Sequence, residues 1–259
     1  MNIMPILTID QVMHAYVTKQ SAVLALDHLS LTVERGEFVS FLGPSGCGKT
    51  TLLSIVAGLI KPTKGRVLIE GKEMHTMSQT IGYMLQHDYL FPWKTIEQNV
   101  TLGLKLTGKY SEKTRKQTLS LLHQIGLRDV DDRYPYELSG GMRQRAALVR
   151  TLATDPKILL LDEPFSALDY QTKLKLEDLV WETLKQYRKT ALLVTHDIGE
   201  AIAMSDRIVL FTAKPGKIKR IVTVPDSLKA CTPFQARQHP DFSPLFQMIW
   251  KELESIEQT

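Results

Sequence analysis

The chain is 259 residues long, with 43% hydrophobic and 23% charged residues, a composition of folded, water-soluble proteins that excludes disordered or fibrous ones. Its 32 basic and 28 acidic residues leave a net charge of +4, too small and dispersed an excess to point to nucleic acid as the main ligand. Cys47 and Cys231 stand far apart without a CxxC pair, so neither a disulfide framework nor a zinc site is indicated and a reducing cytoplasm is expected. The opening MNIMPILTID does not read as a secretory signal. The longest apolar runs, such as Ile158 to Leu161, are about four residues, against the roughly 18 that a membrane span needs.

In chain order, LTIDQVMHAY, LALDHLSLTVERGEFVSFLG and KGRVLIEGKEM alternate short apolar runs with Gly36, Gly43, Gly65 and Gly71, which predicts strands and turns. After GPSGCGKTT comes TLLSIVAGLI, with Leu52, Leu53, Val56, Leu59 and Ile60 at helical spacing and Pro62 as the stop. Residues from about 95 to 155 read as helical, with Ser111 as an N-cap and Gly126 as a stop. From Lys157 the pattern alternates again through KILLLDEP, LKLEDLVWETLKQY, TALLVTH, GEAIAMS and RIVLF. Such alternation predicts an α/β protein with a parallel sheet covered by helices. Lys214 to Val224 predicts a hairpin turned at a glycine, with Lys214, Lys217, Lys219 and Arg220 as a solvated basic face, and PLFQMIWKELESI predicts a last helix.

Gly43-Pro44-Ser45-Gly46-Cys47-Gly48-Lys49-Thr50 matches GxxxxGK[ST] between the strand Phe38 to Leu42 and a helix, the context in which that pattern cradles a nucleotide polyphosphate. Glycines let backbone N–H groups converge on the phosphates and the helix start adds partial positive charge. Lys49 would reach the β and γ oxygens, and the Thr50 hydroxyl would ligate Mg2+. Cys47 reads as a small filler. The apolar run Ile158 to Leu161 ends in Asp162 and Glu163, delivering two carboxylates to one sheet edge. Asp162 is expected to hold Mg2+ through water, and Glu163 to take a proton from, or orient, the attacking water. Ser139, Gly140 and Gly141 form a second backbone-amide nest opening a helix.

Leu138 to Arg145, LSGGMRQR, resembles the LSGGQ signature of ATP-binding cassette proteins, with Met142 in place of the usual glutamine. The resemblance covers roughly residues 5–225 and leaves 226–259 as a short helical extension. It implies a P-loop NTPase fold: a RecA-like parallel sheet core, an N-terminal antiparallel β portion and a helical insertion at about 95–155. It further implies an ATP site made by Gly43 to Thr50 with Thr51, and Tyr16 stacked on the adenine. Gln86, Glu163 and His196 take the hydrolytic roles, and Thr50, Gln86 and Asp162 hold Mg2+. Ser139, Gly140, Gly141 and Met142 meet the ATP of a second copy, and Ser166, Ala167, Leu168 and Asp169 form the loop facing that copy.

The implied cofactors are ATP and Mg2+. The implied partners are a second copy joined head to tail around two ATP molecules, polytopic permease subunits and, indirectly, a substrate-binding protein, with no nucleic acid. The implied location is the cytoplasmic face of the cell membrane. LQHDYLFPWKTIEQNV, residues 85–100, and the tail ARQHPDFSPLFQMIWKEL are similar to importer ATPases of the nitrate, sulfonate and taurine class, and thiamine-precursor pyrimidine importers share these motifs. Phe91 and Trp93 are candidate partner-facing anchors there. The alternatives are a cassette ATPase clamping nucleic acid or ribosome, and a metabolite kinase, which would need neither the signature loop nor His196.

Overall fold

The computed structural model describes residues 4–74, 76 and 78–257. Near the N-terminus β1 (Leu7–Val17), β2 (Ala22–Val33), β4 (Lys64–Ile69) and β5 (Lys72–Glu73) pair antiparallel in the order β2-β1-β4-β5. Buried positions largely alternate along β1, so one face of this sheet meets the core and the other meets solvent.

The second sheet is made of β3 (Phe38–Leu42), β6 (Ile81–Met84), β7 (Ile158–Asp162), β8 (Thr190–Val194), β9 (Arg207–Phe211) and β10 (Ile218–Thr223). Its order is β10-β9-β3-β8-β7-β6, parallel throughout except for β10, which runs antiparallel to β9. Every residue of β3, β7 and β8 is buried. That is why FVSFL, ILLLD and TALLV read as near-continuous apolar runs rather than alternating ones. Ser40, buried in β3, is satisfied by the Ser205 hydroxyl.

Helix α1 (Lys49–Val56) follows β3. The apolar spacing extends it to Ile60, but it ends earlier because Gly58 turns left-handed at φ 74°, leaving Leu59 half-exposed. The stretch expected to be helical holds α2 (Ile96–Val100), α3 (Leu102–Leu106), α4 (Glu112–Gln124) and α5 (Gly140–Leu152). Ser111 does cap α4, in a capping box with Thr114, and Gly126 follows it at φ 79°. Then come α6 (Tyr170–Gln186) and α7 (Ile198–Met204), and beyond β10 α8 (Asp226–Lys229), α9 (Pro233–Ala236) and α10 (Phe242–Glu257). None of the described helices is long and apolar enough to cross a membrane.

Three apolar clusters hold these layers together. One joins Leu7 and Leu29 of the antiparallel sheet to Phe41 of β3 and Leu53 and Val56 of α1. Another covers the opposite face of the parallel sheet, with Leu159 and Leu161 against Leu148 of α5 and Val180 of α6. In the third, Leu245 and Ile249 of α10 pack with Ile202 of α7 and Leu210 of β9. At about 1.5–3 kcal/mol for each fully buried large apolar side chain, these clusters fix where the strand ends stand.

The register of the parallel sheet sets the rest. Asp162 lies opposite Val194, Phe41 opposite Val194, and Met84 opposite Leu161. The C-terminal ends of β3, β6, β7 and β8 therefore meet at one edge, where ligands bind in open parallel sheets.

Candidate functional site

At that edge the loop 43–48 leaves β3 and turns into α1. Gly48, the N-cap of α1, has φ 98°, and a Cβ on it would stand 2.5 Å from Leu26 Cδ2, so both conformation and space require glycine. No side chain caps α1 and no acid lies in its first turn, which leaves its first N–H groups for an anion. The largely buried Lys49 ammonium donates to the Gly43 carbonyl at 2.7 Å and the Pro44 carbonyl at 2.9 Å, and lies 3.4 Å from Cys47 Sγ. The charge is thus held inside the loop.

The next hydroxyl, Thr50 Oγ1, donates to Asp162 Oδ1 at 3.2 Å. Asp162 is buried, and burial raises its carboxyl above the usual carboxylate range, with the Thr50 bond opposing. Its Oδ2 is buried without a hydrogen-bond partner. A hydroxyl beside a carboxylate oxygen that lacks a partner is the hard-oxygen donor pair that Mg2+ takes from a protein when phosphates supply the remainder. The residues therefore fit the ion. Tyr16, half-exposed, shares a hydrogen bond of 3.1 Å with the Thr51 hydroxyl, which brings its ring beside the start of α1.

Gln86, Glu163 and His196 lie within reach of one another. Continuing the pairing of Met84 with Leu161 by two residues sets Gln86 opposite Glu163, and Gln86 Nε2 donates to Glu163 Oε2 at 3.3 Å. His196 Nδ1 stands 3.4 Å from Glu163 Oε1. The histidine lies two residues past the end of β8, on the loop rather than at the strand end that TALLVTH suggests. Glu163 adopts φ 49°, a left-handed conformation costing a non-glycine residue about 1–2 kcal/mol. Its N–H donates to the Val194 carbonyl at 2.9 Å, and its carbonyl accepts from Gln144 Nε2 at 3.2 Å and Ser166 Oγ at 3.0 Å. These bonds offset the strain and aim the carboxylate along the sheet edge.

The LSGGM segment opens α5. Ser139 caps α5, its Oγ accepting from the Met142 N–H at 3.3 Å, and a Cβ on Gly141 would press to 3.0 Å on Leu168. Ser166, Ala167 and Asp169 are exposed, and Asp169 caps α6 by accepting from the Thr172 N–H at 3.0 Å. Gln144, which lies within LSGGMRQR but outside its glycine nest, connects the two segments. Besides reaching Glu163 it accepts from the Ala167 N–H at 3.1 Å. Arg143 pairs with Asp88 at 3.0 Å, and Arg150 donates to the Asp88 and Tyr89 carbonyls at 2.7 Å each, which ties α5 to the turn after Gln86. Neither residue carries a local sequence signal for this, because each acts on a residue more than 50 positions away. Buried Asn99 bonds the Phe91, Lys94 and Thr95 carbonyls and the Phe91 N–H, fixing the loop on which Trp93 stands 70% exposed.

The stretch 214–224 is not a hairpin by itself but the turn and strand β10 of a hairpin whose first strand is β9, and it is more than a solvated basic face. Lys217 pairs with Asp27 at 2.7 Å and Arg220 with Glu252 at 2.5 Å. Lys214 Cε lies 3.1 Å from where a Cβ on Gly46 would stand, and a Cβ on Gly216 would fall 2.0 Å from the Cys47 carbonyl oxygen. Gly216→Ala is therefore expected to displace the phosphate loop, destabilising the fold by about 1–3 kcal/mol and weakening ATP binding. Thermal melts and titration calorimetry check this; an alanine variant with native Tm and Kd would show that the contact yields.

Residues 26–166, spanning the phosphate loop, the LSGGM segment and both carboxylates, match the ABC transporter family. The chain belongs to that family. This ABC protein is 61% identical over 254 residues to YtlC of Bacillus subtilis, an uncharacterized ABC transporter ATP-binding protein, across 98% of each chain. It is 42% identical to the aliphatic sulfonates import ATP-binding protein SsuB of Bacillus licheniformis, across 90% of this chain and 88% of that one. Among solved structures, the ATP-binding cassette MJ0796, dimeric and bound to ADP and Pi in a post-hydrolysis state, matches with a TM-score of 0.77. Identity there is 33%, over 85% of this chain and 99% of that one. The fold is the ABC ATPase fold, and the protein is an ATP-binding, ATP-hydrolysing subunit of a transporter.

Proposed function

We propose that the chain is the energy-coupling subunit of a bacterial importer that takes up nitrate, a sulfonate such as taurine, or a thiamine-precursor pyrimidine, and that its ATPase works through the residues at the sheet edge. The observation that carries this is the meeting of Gln86, Glu163 and His196 at 3.3 and 3.4 Å beside Lys49, Thr50 and Asp162. Similarity to the sulfonate-import protein supports the cargo class.

In this reading Gly43, Pro44, Ser45, Gly46, Cys47, Gly48, Lys49, Thr50 and Thr51 bind the phosphates, with Lys49 turning its ammonium from the loop carbonyls to the β and γ oxygens, and Tyr16 stacks on the adenine. Thr50, Asp162 and Gln86 hold Mg2+, which when bound neutralises charge on the phosphate oxygens. Glu163 takes the proton of the attacking water, Gln86 orients that water, and His196 holds the γ-phosphate side. Ser139, Gly140, Gly141 and Met142 serve the ATP of a second copy, with Ser166 to Asp169 across the same seam. The dimers of the cassette MJ0796 support this assignment. Residues 5–225 form the cassette, 95–155 its helical part and 226–259 an extension. The dimer sits at the cytoplasmic face of the membrane against permease subunits, with Trp93 among its contacts.

The test is purification of the tagged Glu163→Gln chain from native membranes in mild detergent, followed by mass spectrometry and by ATPase assays of the native assembly with sulfonates, nitrate and pyrimidines. A polytopic membrane protein is expected to copurify, and one cargo class to stimulate turnover. Recovery of only ribosomal or other soluble partners would overturn the transporter reading.

A further inference from the structure

Five charged side chains gather where α6, α7 and α9 meet, just behind His196. Lys173 on α6 lies 2.7 Å from Asp197, 2.8 Å from Glu200 and 3.9 Å from Glu177. Asp197, the residue after His196, caps α7 by accepting from the Glu200 N–H at 3.1 Å. Glu177 and Glu200 are almost wholly buried, and Lys173 is 15% exposed. Among the described residues before 225, Lys173 is thus the one cation paired with these three carboxylates. The second cation comes from the C-terminal extension: Arg237, just past α9, places Nη2 2.7 Å from Glu177 Oε2. Its Nε lies 4.0 Å from the Cβ position of Gly199, and α9 is pinned to α6 by the Phe234 N–H donating to Asp178 at 2.8 Å. A cavity of about 130 Å³ between the cluster and the reactive edge is lined by Lys173, Asp197 and Glu200 on one side and by Glu163 and His196 on the other.

We propose that Arg237 is a positioning residue: by holding Glu177 it leaves Lys173 to Asp197 and Glu200, so that the C-terminal extension keeps the His196 loop set for hydrolysis. The physical reason is the cost of an unpaired buried carboxylate. Without Arg237, Glu177 either takes a proton or competes for Lys173, and the second course draws the lysine from the cap that fixes His196. Burial pushes the Glu177 carboxyl up to about 7, with Arg237 and Lys173 opposing and Glu200 adding to the rise. Its neutral form is favoured in the fold, so the stability contributed by this group is full below about 4.5 and is lost as pH rises through about 7. Removing Arg237 favours the neutral form further, so competition for Lys173 grows toward alkaline pH. The proposal rests on the reading of His196 given above.

The experiment compares kcat and ATP Kd from pH 6 to 9 for the native full-length chain, Arg237→Met, Arg237→Lys, and Arg237→Met combined with Glu177→Gln, with His196→Ala as reference. Arg237→Met is expected to keep its ATP Kd and to lose kcat about 2- to 30-fold, most at alkaline pH. Arg237→Lys retains most of the rate. The Glu177→Gln combination restores both rate and pH profile, because it removes the charge that competes for Lys173. A packing role alone would not be rescued by that glutamine. Native kcat in Arg237→Met at every pH overturns the proposal, and so does a folded double variant as slow as the single one. If Arg237→Met does not fold, melts at pH 6, where the carboxyl is protonated, are expected to recover it, and failure there too overturns the coupling. Native turnover in His196→Ala would instead overturn the role of His196.

Discussion

Glu163→Gln is expected to bind ATP with native affinity and to hydrolyse it about 10²–10⁴-fold more slowly. Glutamine keeps the shape of the side chain and can still hydrogen-bond Gln86, but its amide cannot take a proton from water. Nothing in the nucleotide cradle changes, because Lys49 and Thr50 bond to Gly43, Pro44 and Asp162 and not to Glu163. The left-handed backbone at position 163 is held by its own N–H, which donates to the Val194 carbonyl, and its own carbonyl, which accepts from the Gln144 and Ser166 side chains, so the substitution leaves the turn in place. Binding without turnover also prolongs the ATP-bound dimer. Single-turnover assays with calorimetry and size-exclusion chromatography in ATP check both effects, and a variant with native kcat would remove Glu163 from the role of base.

Lys49→Ala is expected to lose ATP affinity by about 10- to 150-fold, the equivalent of one charge-assisted hydrogen bond of about 1.5–3 kcal/mol. The ammonium is the group best placed inside the loop, at 2.7 and 2.9 Å from two of its carbonyls. Without it those oxygens face the phosphates with no cation between them, so a like-charge penalty adds to the lost bond. Adenosine, which carries no phosphate, should bind the variant as it binds the native chain. Calorimetric titrations with ATP and adenosine separate the two. An unchanged ATP Kd would refute the assignment of the cradle, and an equal loss for adenosine would show that the loop had collapsed.

Local patterns and tertiary placement contributed different parts of this picture. GPSGCGKTT could be read directly because its chemistry lies in consecutive residues: glycines for the turn, a lysine and a hydroxyl at fixed offsets, and a strand and helix on either side. The same holds for Ser111 and Gly126 around α4 and for the buried run before Asp162, since capping, left-handed turns and burial on both sheet faces each leave a mark within a few positions. The end of α1 departs from the apolar spacing that Leu59 and Ile60 continue, because a left-handed Gly58 outweighs that spacing.

Resemblance singled out Gln86, Glu163 and His196, but that they meet depends on the register of β6, β7 and β8, which long-range packing settles. Gln144, Asn99, Arg150 and the Arg237–Glu177 pair carry no local signal, because each acts on a residue distant in sequence. The glycine-rich loop with its lysine and threonine, the paired carboxylates and the order of strands and helices are all properties of neighbouring residues, and so can be read along the chain. Which edge they share, what holds Glu163 in its strained turn, and the pairing of Arg237 with Glu177 behind His196 depend on long-range packing. Those are distances between parts of the chain that sequence order does not bring near.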